Sequence, residues 1–151
     1  MDRADKASAT FTSGYNCSEA VLLAFSEELG LDKDAAVKIA SGFGGGIGHM
    51  AETCGAVTGA VMVIGLKHGL SIKDNVYKSN HVVYAIVEEF IKEFLKRHPS
   101  IKCKDLLGVD FHDEAAYKEA VKKGVFYEVC PDFVADAVEI LDNMYNKSPR
   151  Q

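Results

Sequence analysis

The sequence predicts an all-α protein, a compact multi-helix bundle built around a central apolar helix over about residues 54–67. Apolar residues recur at i, i+3, i+4 and i+7 through most of the chain, strand-like alternation is scarce, and the 151 residues contain only three prolines. A chain of this length matches one domain, and no internal repeat or long linker divides residues 1–151.

The first helix legible in this way lies between Gly14 and Gly30. Asn16 and Glu19 make a capping-box pattern that puts Cys17 at the first helical position, and Ala20, Val21, Ala24, Phe25 and Leu29 carry its apolar face on to Gly30. A short helix follows from Asp32 or Lys33 to Ser41, opened by an aspartate cap. Thr53 reads as the N-cap of the next helix, in which Cys54 to Lys67 is apolar nearly all round, the pattern of a helix buried at the centre. Within it Gly55 with Gly59, and Ala56 with Ala60, are small residues one turn apart that would let a neighbouring backbone approach closely.

From Asp74 to His98 an amphipathic helix is expected, with Val76, Val83, Tyr84, Val87, Phe90, Ile91, Phe94 and Leu95 on its apolar stripe and Pro99 ending it. Cys103 to Gly108 reads as one short turn of helix, and Asp113 to Lys123 as an exposed helix ending at Gly124. In the last segment Phe133, Val134, Ala137, Val138, Leu141, Met144 and Tyr145 repeat the helical spacing, and Pro131 places the start of that helix beside Cys130.

Composition narrows function by exclusion. Seventeen Lys and Arg against 22 Asp and Glu give a net charge of -5, so a phosphate backbone would be repelled on balance and nucleic acid is not an expected partner. Met1 to Lys6 carries two acids and no apolar h-region, and the uncharged run from Cys54 to Leu66 is shorter than the roughly 20 residues a membrane span needs. Membrane insertion is therefore not expected, and the expected location is the cytoplasm. Four cysteines are too few for a disulfide-stapled scaffold, and in a reducing compartment the cysteines that matter are catalytic, redox-active or metal-bound.

Cys17, Cys54, Cys103 and Cys130 are all expected at helix starts. There unpaired N–H groups and about half a positive charge favour thiolate over thiol, and can bring a cysteine pKa from about 8.5 into the range of roughly 3.5–7.5. The competing reading is that the four are small apolar residues completing buried faces. No two are close enough in sequence to form a Cys-x-x-Cys motif. Ahead of Cys54 runs Gly42-Phe-Gly-Gly-Gly-Ile-Gly48, either a tight connection or a backbone pocket whose N–H groups could surround an anion. It is no nucleotide loop, because no Gly-Lys-Ser/Thr follows and no strand precedes it. His49 and Glu52 lie within five residues of Cys54 and could exchange a proton with its sulfur, although His49 reads first as a plain loop residue.

Gly14-Tyr-Asn-Cys17-Ser-Glu-Ala-Val, the glycine loop, Cys54-Gly-Ala-Val-Thr-Gly59-Ala, Cys103-Lys-Asp-Leu-Leu-Gly and Cys130 together resemble the CGAxxG family of redox-active proteins, also written C_GCAxxG_C_C, over about Phe11 to Val138. Thr53 precedes Cys54 and Gly55 follows it, a departure from the Gly-Cys-Ala order of the longer family name. Some members carry selenocysteine at the position matching Cys54, so the resemblance implies redox chemistry at this sulfur. It extends to domains of split-Soret-type cytochromes, which implies an iron–sulfur centre as an alternative.

Three readings stand side by side. In the first, Cys54 is an attacking thiolate of depressed pKa, supported by His49, Gly55 and Gly59; Cys17 is the first choice of resolving partner with Cys103 and Cys130 as a second pair, one of the three connectivities four cysteines allow, and a redox protein or small thiol is the partner. In the second, the same four residues hold an iron–sulfur cluster or zinc. In the third, the chain is a non-catalytic helical interaction domain, a homodimer, with inert cysteines.

Overall fold

A computed structural model describes residues 1–74 and 80–146. Among them lie eight α-helices and no strand: α1 Arg3–Thr12, α2 Cys17–Ser26, α3 Lys33–Ala40, α4 Gly55–His68, α5 His81–Arg97, α6 Cys103–Leu107, α7 Glu114–Lys122 and α8 Val125–Asn146. The all-α expectation is met, and α4 sits where its sequence demands. It packs against α2, α5 and α8, with Ala56, Val57, Ala60, Val63 and Ile64 at 0–1% exposure. A helix without a polar face has no side to offer water, so only a central position buries it all round.

The small residues of α4 do what their spacing suggested. A Cβ on Gly59 would stand 2.9 Å from the Ser18 carbonyl oxygen and 2.9 Å from Val21 Cβ, both on α2. Hydrogen in place of a side chain is what permits that approach. Around the α2–α4 contact close Phe90 and Phe94 of α5 and Val134, Val138 and Leu141 of α8, each fully buried and each contributing roughly 1.5–3 kcal/mol by leaving water.

Several elements differ from the sequence expectation, among them the end of α2, which lies at Ser26 and not at Gly30. The helix α1 was not anticipated: Asp2 and Asp5 form a capping box at its start, and only Ala7 and Phe11 of its ten residues are buried. Two buried positions are too few to make a periodic signal. Its Arg3 binds Glu28 at 2.6 Å and Asp142 at 2.9 Å and lies over the Phe25 ring, tying α1 to α2 and α8. The helix α5 begins at His81, and Val76 lies outside the described residues. Its buried line is Ile86, Phe90 and Phe94, whereas Tyr84 and Leu95 are exposed. At 100° per residue Tyr84 sits about 200° round from Ile86, so it faces away from the core. Finally, α8 starts at Val125, which puts Pro131 and Cys130 inside it and not at its N-terminus. Pro131 has no N–H to give the Tyr127 carbonyl, and Tyr127 is exposed, where water can replace that bond. No helix among the described residues is long and apolar enough to cross a membrane.

Candidate functional site

Four segments far apart in sequence deliver the four sulfurs to one cavity of about 360 Å³. Cys17 arrives at the first position of α2, held by the expected capping box: Glu19 N–H donates to Asn16 Oδ1 and Asn16 N–H to Glu19 Oε2, both at 2.9 Å. Gly55 brings α4 against it, since a Cβ there would stand 2.9 Å from Cys17 Cβ and from Ser18 N. Cys54 is therefore next to the start of α2, and it is itself the N-cap of α4, a position the sequence reading gave to Thr53.

Thr53 has another task. It pairs with Lys102 in an isolated antiparallel bridge, in which Cys54 N–H donates to Ile101 O at 2.7 Å and Cys103 N–H to Glu52 O at 2.6 Å. This backbone clip sets Cys103, the first residue of α6, beside Cys54. Glu52 takes part through its carbonyl. Cys130 comes from the sixth position of α8, so the expectation that all four cysteines occupy helix starts is corrected at this residue.

The glycine loop is ordered by its own hydrogen bonds. Gly48 N–H donates to Gly42 O, Ala51 N–H to Gly45 O and Glu52 N–H to Gly46 O, each at 2.8–2.9 Å. Residues 45–49 and 51 all have positive φ, including Ile47 at 62°, His49 at 63° and Ala51 at 57°. Left-handed backbone at a non-glycine residue costs roughly 1–2 kcal/mol, so these residues stay there only because the hydrogen-bonded coil holds them. The coil carries His49 to the mouth of the cavity, where its ring lies 4.7 Å from that of Phe111 and 4.9 Å from that of Tyr117.

The sulfurs fall into two electrostatic classes. Cys17 and Cys130 are within hydrogen-bonding reach of one another: the Cys17 thiol, raised well above its ordinary value, donates to Cys130, whose pKa is lowered by that donation against the opposing effect of burial. Burial further raises Cys17, and the neighbouring sulfurs add to the rise. Cys54 is pushed up to about 11 by burial, with the N–H groups of Ala56 and Val57 acting in the opposite direction. Cys103 is pushed up to about 12 by burial and then by the Cys54 and Cys130 sulfurs. The expectation of a depressed pKa at Cys54 is thus reversed, because losing water costs a thiolate there more than the helix start returns.

The aromatic lining of the cavity is not foreseen from the sequence. Phe11, Phe111, Tyr117, Phe126, Tyr127 and Phe133 line the cavity, and the rings of Phe111, Tyr117 and Phe126 meet pairwise at 5.3–5.7 Å. The only signal available was the crowding of aromatic residues between positions 111 and 133.

A family model for the C_GCAxxG_C_C proteins, described as putative redox-active proteins, matches residues 15–144, a span that holds all four cysteines and the coil. The chain belongs to this family. No curated protein and no solved structure gives a significant match. Membership of the C_GCAxxG_C_C family supports a redox role in general terms, and the cavity is where the cysteines of its motif meet.

The donors can be tested against a metal. Among the described residues no three His, Cys, Asp or Glu side chains are arranged to hold one metal ion, and tetrahedral zinc would need four sulfurs about 2.3 Å from one point.

Proposed function

We propose that the protein is a thiol–disulfide redox protein whose exchanging pair is Cys17 and Cys130. The observation that carries this reading is that Cys17 and Cys130 line one cavity, where the hydrogen bond from Cys17 to Cys130 raises the one thiol and lowers the other. Cys130 is the thiolate-prone sulfur, and Cys17, half-buried at the lip of α2, is the one from which the bridge is closed or opened. Cys54 and Cys103, clipped together and held as thiols, form the second pair. The physiological partner on this reading is a protein dithiol or a small thiol.

The test is a thiol count on anaerobically purified, reduced protein before and after one equivalent of diamide. Four titratable thiols falling to two, with loss prevented by Cys17→Ser, supports the reading; four thiols that persist would end it.

A second reading is favoured by the convergence of all four sulfurs on one cavity: Cys17, Cys54, Cys103 and Cys130 as ligands of an iron–sulfur cluster, which would supply one-electron transfer. Iron content and a visible absorption band in the anaerobic protein separate the two, because the thiol reading expects neither.

A further inference from the structure

We propose that the cavity over the cysteines takes a small, uncharged aromatic oxidant of the quinone class. The inference rests on the thiol reading and names its substrate.

Three features of the walls select such a ligand. The cavity, at about 360 Å³, lies near the lower end of the roughly 300–1,000 Å³ range of small-molecule sites, enough for one or two fused rings. No Lys, Arg, Asp or Glu is among its lining residues, so a charged disulfide such as oxidised glutathione would lose its hydration with no counter-charge to replace it. The same lining that holds the sulfurs carries an aromatic cluster: Phe111, Tyr117 and Phe126 are mutually packed, with His49 against the first two. Flat rings stack on such a surface, each aromatic contact adding about 0.5–1.5 kcal/mol beyond the area it buries.

The chemistry balances with the exchanging pair already described. The Cys130 thiolate adds to a quinone ring carbon and forms a C–S bond. Cys17 Sγ then attacks Cys130 Sγ; an S–S bond forms, the C–S bond breaks, and its electron pair returns to the ring. The Cys17 proton and one proton from solvent end on the two quinone oxygens. Two electrons leave the sulfurs, and the quinone departs as hydroquinone. A dithiol reductant restores the pair.

The experiment uses the full reduced chain, with 2-methyl-1,4-naphthoquinone as oxidant, hydrogen peroxide as a small polar comparator, and 1,4-dimethoxynaphthalene as an unreactive shape analogue. Disulfide formation with the naphthoquinone is expected to saturate with its concentration and to be slowed competitively by the analogue. Phe111→Ala is expected to lower the ratio of the quinone rate to the peroxide rate at least tenfold, and Phe111→Leu, which keeps the apolar volume without the ring, to lower it less. If peroxide closes the Cys17–Cys130 bridge while the quinone rate rises without saturation and the ratio is unchanged in both variants, the substrate inference is overturned and the thiol reading stands. If neither oxidant closes the bridge, the thiol reading falls. In that case calorimetric titration with the analogue still decides the cavity: saturable binding weakened by Phe111→Ala keeps the aromatic site, and absence of binding removes it.

Discussion

Cys54 and Cys103 reach the cavity by a different route from Cys17 and Cys130. The first two are joined by a local backbone clip of two short hydrogen bonds across the Thr53–Lys102 bridge. The second two lie on helices that meet only through tertiary packing, α2 against α8. Burial raises Cys54 and Cys103, whereas the hydrogen bond between Cys17 and Cys130 raises the first of that pair and lowers the second. Burial therefore disfavours the thiolate at all four sulfurs, and at Cys130 the hydrogen bond from Cys17 outweighs it.

The largest expected effect separates the pairs outright. Cys130→Ser should abolish the first oxidant-driven loss of two thiols, and Cys103→Ser should leave it; equal loss in both variants would merge the two classes. Next in size is labelling. A rise from 9.0 to about 11 leaves Cys54 with about a hundredfold less thiolate at pH 7 than an unshifted thiol, so iodoacetamide should modify Cys130 first and Cys54 with a rate that climbs tenfold per pH unit until about pH 11. Cys54 labelled ahead of Cys130 at neutral pH would contradict the assignment.

The same raised pKa has a stability consequence. A folded-state value above the unfolded one stabilises the fold below about pH 9, and that contribution is lost as pH climbs from 9 toward 11, on the order of 2–3 kcal/mol for this buried thiol. The stability margin of the protein over its Cys54→Ala variant, measured by urea denaturation, should shrink across that window; a constant margin would mean Cys54 is not the protonated member. Smaller still are the changes to the scaffold. Gly59→Ala, which places a Cβ 2.9 Å from the Ser18 carbonyl oxygen, should cost about 1–3 kcal/mol, and Asn16→Ala, which removes the cap of α2, about 1 kcal/mol. Both should disturb the Cys17–Cys130 contact more than the clip.

Much of this was legible because it is local. The capping box at Asn16 and Glu19, the short helix after Asp32, the turn at Cys103 to Gly108 and the central helix of the CGAxxG motif all follow from neighbouring residues, and the structure repeats them. The glycines of α4 were legible as close-approach residues, but their partner, α2, was not. What stayed hidden depends on contacts between distant segments. Nothing around Thr53 says that Lys102 lies across from it, and a proline after Cys130 reads as a helix start unless the preceding turn shows α8 already under way from Val125. The Cys54 pKa departs from expectation for a similar reason: the helix start that lowers it is written locally, while the burial that raises it is made by the whole fold.

The central claim is that Cys17 and Cys130 are partners, and a peptide map of the mildly oxidised protein tests it most directly. The reduced protein is treated with one equivalent of diamide, alkylated, digested and analysed by mass spectrometry. The account predicts one cross-linked species joining the Cys17 and Cys130 peptides, with Cys54 and Cys103 recovered alkylated. A first bridge that includes Cys54 or Cys103, or four alkylated cysteines and no bridge, would contradict it.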